Sequence, residues 1–390
     1  MGRIRMEDIR TTADNELNIL IAGDVFPVPS NEEYFIAGDT EALFGEKIIT
    51  LFRNADYSVC NTEGCIADQK DTIRKVGPVV TAGGATLNAL KQLGVRAVTL
   101  GNTHIMDGGV TGFRDYTSIL DEKGIRYFGC GSDLDHMKNH ILVEQKGVRV
   151  ILYNVMEFFC NGATKKDPGG NLYDETRVLE ELRELKKECD HLVVLYHGGF
   201  ESTFYSSPLI RTRFHRMADA GADILISQHT HAIGNEEEYH GSLLFYGQGN
   251  FCFNLAKKVN EYLLHGMLLS FFFTKNGFRV ERHVVRRTEI GCIYDEEQDL
   301  SGQKERTKMH EKLLAGDPEA EEVFLKENRR VSKVFVERLL KGFYGTDEIP
   351  EFSEKQIRIL LLMLQSEEMN EMAVCYFTEL LEKYGKESKR

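Results

Sequence analysis

From Leu17 to about Arg287, short aliphatic and β-branched runs alternate with segments of helical period, the pattern of a sheet covered by helices. The runs Leu17–Ala22, Tyr57–Cys60, Ala97–Leu100, Arg126–Phe128, His140–Val143, Val148–Asn154, His191–Tyr196, Asp223–Ser227, Leu243–Tyr246, Gly266–Phe273 and Arg279–Val285 predict strands. Glu41–Arg53, Ala85–Leu93, Val110–Lys123, Asp174–Lys187 and Pro208–Ala220 predict helices. Gly94, Gly124 and Gly221 follow three of these helices, where a left-handed residue ends the spiral.

After about Glu289 the pattern changes to amphipathic helices rich in Glu, Lys and Arg. Glu319–Lys341, Ser353–Gln365 and Met369–Tyr384 each carry one apolar stripe, to be buried against the main domain or a protein partner. The expected organisation is a tail at 1–15, an α/β domain at 16–290 and a helical C-terminal extension at 291–390.

Composition narrows the class. Hydrophobic residues at 42% and charged residues at 28% are those of an ordinary globular protein. With 61 acidic against 48 basic residues and a net charge of −13, nucleic acid is excluded as a principal partner. An anionic small-molecule or polymer substrate then needs a local positive centre such as a metal. The stretch Met1–Asn15 has no apolar run long enough for a secretory signal, and no apolar segment approaches the ~18 to 20 residues that span a bilayer. A cytoplasmic protein without a membrane span is expected. The eight cysteines, at 60, 65, 130, 160, 189, 252, 292 and 375, form no CxxC pair and read as free thiols.

The candidate chemistry lies where the strands end. Six apolar runs lead into polar residues flanked by small ones: Gly23-Asp24, Asn61-Thr62-Glu63, Gly101-Asn102-Thr103-His104, His197-Gly198-Gly199, Gln228-His229-Thr230-His231 and Gly247-Gln248-Gly249-Asn250. Open α/β sheets bind ligands beyond the carboxyl ends of their strands, so these loops are expected to converge. Carboxylate, amide oxygen and imidazole suit a hydrolytic Zn, Mn or Fe site. In an extended segment His229 and His231 point the same way, toward one ion. His104 can act as general acid toward a leaving group or as an orienting donor, with Asp107 holding its ring; a helix-cap role is the alternative for each. Glu201 is either an outer partner of the site or an exposed loop carboxylate. Arg74 and Lys75 either bind an anionic substrate or are solvated. Gly83-Gly84 resembles an anion cradle before a helix.

In order and spacing these motifs, with Asp107-Gly108, His197-Gly198-Gly199-Phe200-Glu201 and Gly249-Asn250-Phe251, resemble the CapA-type capsule biosynthesis (poly-γ-glutamate synthesis) family, a branch of the calcineurin-like metallophosphoesterases. The resemblance covers roughly Leu17 to Arg287. It implies a four-layer α/β/β/α sandwich with one or two divalent ions held by Asp24, Glu63, Asn102, His197, His229 and His231, Glu63 bridging. Thr103 and Thr230 depart from the family's usual Asn-Asn-His and His-Pro-His. Phe26 stands where the wider phosphoesterases carry a histidine, so one metal position lacks that ligand. The implied activity is that of a metal-dependent hydrolase of phosphoesterase type, with His104 and Asp107 as the catalytic pair. The alternative is a non-catalytic, metal-containing accessory protein of a polymer-synthesis machinery.

Overall fold

The computed structural model describes residues 15–73, 75, 77–157, 161–253, 263–344 and 352–365. The expected helix Met369–Tyr384, residues 1–14, Arg74, Cys160 and Cys375 lie outside them.

Two mixed sheets form the body. The first runs, edge to edge, Cys292–Tyr294, Gly277–Arg287, His265–Thr274, Leu17–Phe26, Tyr57–Thr62, Ala97–Thr99 and Arg126–Phe128, with Asn250–Phe253 also pairing with Leu17–Phe26. The second runs Glu236–Tyr239, Ser242–Phe245, Ile224–Gln228, His191–His197, Val148–Met156 and His140–Gln145. Its central strands pair in parallel, which requires apolar side chains on both faces and explains their unbroken hydrophobic runs.

Side-chain alternation sorts those runs into layers. Ile19 and Ile21 enter a core shared with Val150, Leu152, Val193 and Leu195 of the second sheet. Leu20 and Ala22 face the other way, against Phe44, Ile48, Leu90 and Tyr116 of the helices Thr40–Asn54, Leu87–Leu93 and Gly109–Lys123. Tyr153, Val194 and Tyr196 do the same on the far side, against Val178, Leu182, Phe214 and Met217 of Glu175–Lys186 and Pro208–Asp219. The result is the α/β/β/α sandwich, with helices following it in sequence.

Local signals act as their chemistry dictates. Gly94 and Gly124 take left-handed conformations at helix ends. Asp174 and Ser207 accept backbone N–H groups at helix starts. The six described cysteines, Cys60, Cys65, Cys130, Cys189, Cys252 and Cys292, are free and buried. Among the described residues no helix is long and apolar enough to cross a membrane.

By its contacts the chain divides into two compact units, Met1–Val331 and Ser332–Arg390. Within the first, helix Ser301–Leu314 docks on the edge strand Glu236–Tyr239 through a buried polar knot. His310, fully buried, stands with Nε2 2.9 Å from Glu237 Oε2. His215 Nε2 lies 2.8 Å from Oε1, and the Tyr246 hydroxyl donates to Oε2 at 2.6 Å. Burial pushes the Glu237 carboxyl up, but the two imidazoles and the phenol outweigh it and hold the group at about 2. Because the folded value is depressed, this stabilisation is present above the ordinary value of 4.5 and is lost as pH falls toward 2. E237Q is expected to lower stability at pH 7 by about 2 to 3 kcal/mol, the scale of hydrogen bonds to a charged group. Urea unfolding measures it; an unchanged midpoint would mean that the knot contributes nothing.

Candidate metal centre

Strand pairing delivers the ligands. Parallel pairing of Leu17–Phe26 with Tyr57–Thr62 and with Asn250–Phe253 sets Asp24 beside Asn61 and Asn250. In the second sheet His197 pairs with Met156 on one side and Gln228 on the other. The two sheets meet at this end, where the backbone N–H of His229 donates to Asp24 Oδ2 at 3.2 Å.

Glu63 is the centre of the cluster. Its Oε1 stands 3.5 Å from His197 Nε2 and 3.7 Å from His229 Nδ1, and its Oε2 stands 3.8 Å from His231 Nδ1. Ligand atoms of Glu63, His229 and His231 all lie within 4.8 Å of one another. Glu63 Oε2, His197 Nε2 and His229 Nδ1 are buried and make no hydrogen bond. Buried polar atoms are almost always partnered. Unpartnered buried atoms on a carboxylate and two imidazoles that face one another fit a divalent cation, and so does the mixed oxygen and nitrogen donor set.

Asp24 joins the same cluster, with Oδ2 3.3 Å from His231 Nδ1. Asn102 lies one hydrogen bond away: its Nδ2 donates to Asn61 Oδ1 at 3.1 Å and to the Thr62 carbonyl at 2.9 Å. Its Oδ1 accepts the backbone N–H of His104 at 3.0 Å, which leaves one lone pair free on that oxygen. Beyond it, His104 Nδ1 stands 2.7 Å from Asp107 Oδ2, and Asp107 also accepts the Val80 N–H at 2.7 Å.

The charges oppose one another at short range. Burial pushes the Glu63 carboxyl up, yet His231 and His197 beside it hold it well below the usual carboxylate range. Burial pushes His229 and His231 down, but the carboxylates prevail. Glu63, Glu201 and Glu157 raise His229 to about 9, and Glu63 with Asp24 raises His231 to about 10.

Four further residues surround the cluster, of which Glu157 was not legible in the sequence. Asn61 opened a recognised motif, but its role is that of a connector: Nδ2 donates to Asp24 Oδ1 at 2.7 Å and lies 3.2 Å from His197 Nδ1. Asn250 Oδ1 faces His231 Nδ1 at 2.8 Å. Glu157 follows strand Val148–Met156 and approaches His229 Nε2 to 3.9 Å. Glu201 reaches the same nitrogen at 3.9 Å from an exposed position, so it is both an outer partner of the site and a loop carboxylate.

Two expectations are corrected. Lys75 is not solvated: its side chain is 6% exposed, and its Nζ lies 2.5 Å from Asp107 Oδ1 and 3.0 Å from His104 Nδ1. The Gly83-Gly84 cradle binds the chain's own anion, since Gly84 N–H donates to Asp68 Oδ1 at 2.7 Å. Phe26, 2% exposed, lays its ring on Gly64, where a Cβ would fall 2.1 Å from Phe26 Cε2. That position offers hydrocarbon and no ligand.

Fold and site together define a two-sheet α/β protein with a buried carboxylate–histidine cluster at its strand ends. The chain belongs to the family of the bacterial capsule synthesis protein PGA_cap, which it matches over residues 18–255. It is similar to the capsule biosynthesis protein CapA of Bacillus anthracis, with 27% identity over 63% of this chain and 62% of that one, less than two thirds of the relative's length. The PGA biosynthesis protein CapA of Bacillus subtilis is 26% identical over 65% of this chain and 67% of its own. A probable polyglutamine synthesis accessory protein of Mycobacterium tuberculosis is 26% identical over 53% and 58%. Among solved structures, a 5'-nucleotidase precursor from Thermus thermophilus aligns at 14% identity and a TM-score of 0.35, over 68% of this chain and 54% of that one.

Proposed function

We propose that the chain is a metal-dependent hydrolase of phosphoesterase type that serves capsule or poly-γ-glutamate biosynthesis, acting on a phosphoester or a glutamyl amide. The observation that carries this reading is the set of orphaned ligand atoms on Glu63, His197 and His229, with an Asp-held histidine next to it. Asp24, Glu63, His197, His229 and His231 would hold one or two ions of Mn, Zn or Fe, with Asn102 through its remaining lone pair. A bound divalent cation would supply Lewis acidity, which draws the pKa of a coordinated water down toward neutrality. His104, whose Nδ1 is engaged by Asp107, presents Nε2 to give a proton to the leaving group. Asn61 holds Asp24 and orients His197. With Glu157 and Glu201 near His229, the charge of the ions would be what holds an anionic substrate against these carboxylates.

The test is turnover of a phosphodiester and of a γ-glutamyl amide by protein loaded with Mn or Zn. H104A is expected to lower turnover by about 10²- to 10⁴-fold, the usual worth of a general acid, with metal content unchanged. A fully loaded protein that turns over neither substrate would replace this reading by that of an accessory protein, which the hydrocarbon at Phe26 also favours.

A further inference from the structure

The loop of residues 199–206, which follows strand His191–His197, is held from two sides. On its inner side Gly199 N–H donates to Glu157 Oε2 at 3.0 Å and Ser202 N–H donates to the Thr230 carbonyl at 2.9 Å, between the two metal-facing histidines. Beneath it lies a cavity of about 10 Å³, lined by Thr203, Tyr205, Ser206, Ile210, Thr230 and Tyr246, with room for no more than about one water.

Its outer side is held by helices that come roughly a hundred residues later. Arg330 Nη2 donates to the Ser202 carbonyl at 2.7 Å, and Thr203 Oγ1 donates to Glu327 Oε1 at 3.1 Å. Arg330 also grips Glu327, at 2.7 Å from Nε and 2.8 Å from Nη2, so the two helix residues act as one clamp. The buried Phe324 meets the Tyr205 ring at 4.8 Å between centroids. From helix Ser301–Leu314, the Arg306 guanidinium lies over Phe204 at 4.4 Å and donates to the Ile233 carbonyl at 2.9 Å, tying in the segment just after His231.

Between these grips stands Glu201. Its side chain is 56% exposed, and its Oε1 lies 3.9 Å from His229 Nε2. An exposed side chain has little packing to aim it, so the placement of its backbone decides where the carboxylate goes. Ser202, the next residue, is pinned at both its N–H and its carbonyl and is held at a φ of 54°.

We propose that residues 301–331 are a strap for the metal centre: Arg330 and Glu327 fix the loop so that Glu201 stands against the outer nitrogen of His229. This rests on the metal reading given above. Carboxylates on the far nitrogen of a ligating histidine orient the ring and make it a better donor, and their loss costs about 10- to 100-fold in metal affinity. At 3.9 Å the contact here is loose, which places the expected effect at the low end, about tenfold.

The experiment is a double-mutant cycle in the full chain, read by Mn²⁺ binding and by amide hydrogen exchange. R330A and E201Q are each expected to weaken Mn²⁺ binding by up to about tenfold, the double variant no more than E201Q alone, and R330K to recover most of the loss. Amides of residues 202–206 should exchange faster in R330A while those of strand His191–His197 keep their protection. Additive losses in the double variant, or wild-type affinity in R330A, overturn the strap. A wild-type chain that binds no Mn²⁺ overturns the metal reading itself, so the two failures are separate.

Discussion

Glu63→Gln is expected to weaken Mn²⁺ or Zn²⁺ binding by at least about a hundredfold while leaving the fold in place. Glu63 faces three imidazoles, at 3.5, 3.7 and 3.8 Å, and one of its oxygens is buried without a hydrogen bond. Outer partners alone cost about 10- to 100-fold when removed, so a ligand at the centre costs more. The amide is the same size, which separates loss of charge from loss of packing. The same titration carries a pH dependence. His229 and His231 are raised to about 9 and about 10 in the metal-depleted protein, above their ordinary value of 6.5. Raised histidines stabilise the metal-depleted fold below pH 6.5, and that contribution is lost as pH climbs through 9 and 10. Metal must displace those protons, so affinity rises with pH by about one log unit per pH unit for each proton released. Calorimetry in buffers of different ionisation enthalpy counts the protons; affinity that is flat from about pH 6 to 8 would show that neither histidine gives one up.

The strands were legible where burial on both faces forces an unbroken apolar run, as in Leu17–Ala22 and His191–Tyr196, and so were the polar residues waiting at their ends. What escaped depends on register and on contacts across the chain. Phe251–Phe253 carries an apolar strand pattern right after the Gly-Asn motif, but nothing in it names a partner: Asn250–Phe253 pairs with Leu17–Phe26, with Asp24 and Asn250 side by side. Ending a strand at Asn154 hid Glu157, which only the true end at Met156 brings to the rim of the site. Gly45, at a φ of 69°, kinks the helix Thr40–Asn54 where the apolar period runs on undisturbed. The strap residues Phe324, Glu327 and Arg330 carried an ordinary amphipathic signal. That pattern says a face will be buried but not that the loop after His197 will bury it.

Lys75→Met is expected to destabilise the protein by about 3 to 5 kcal/mol and to lower turnover beyond what the lost stability explains. Lys75 and Asp107 are 6% and 0% exposed, with Nζ and Oδ1 2.5 Å apart. Removing one partner of such a pair strands the other charge in a medium that solvates it poorly, and that penalty is of this size. Asp107 would keep the Val80 N–H and His104 Nδ1, but Oδ1 would face hydrocarbon. The carboxylate is then expected to turn toward whatever polar group remains, and His104, which also loses the Lys75 Nζ 3.0 Å from its Nδ1, turns with it. Replacing both members, Lys75→Met with Asp107→Leu, removes the stranded charge, so most of the stability should return. Turnover should not return, because His104 has lost the group that aims it. Thermal unfolding reads the first effect and kcat at a temperature where every variant is folded reads the second. Recovery of both in the double variant would reduce Asp107 to packing and leave His104 to orient itself.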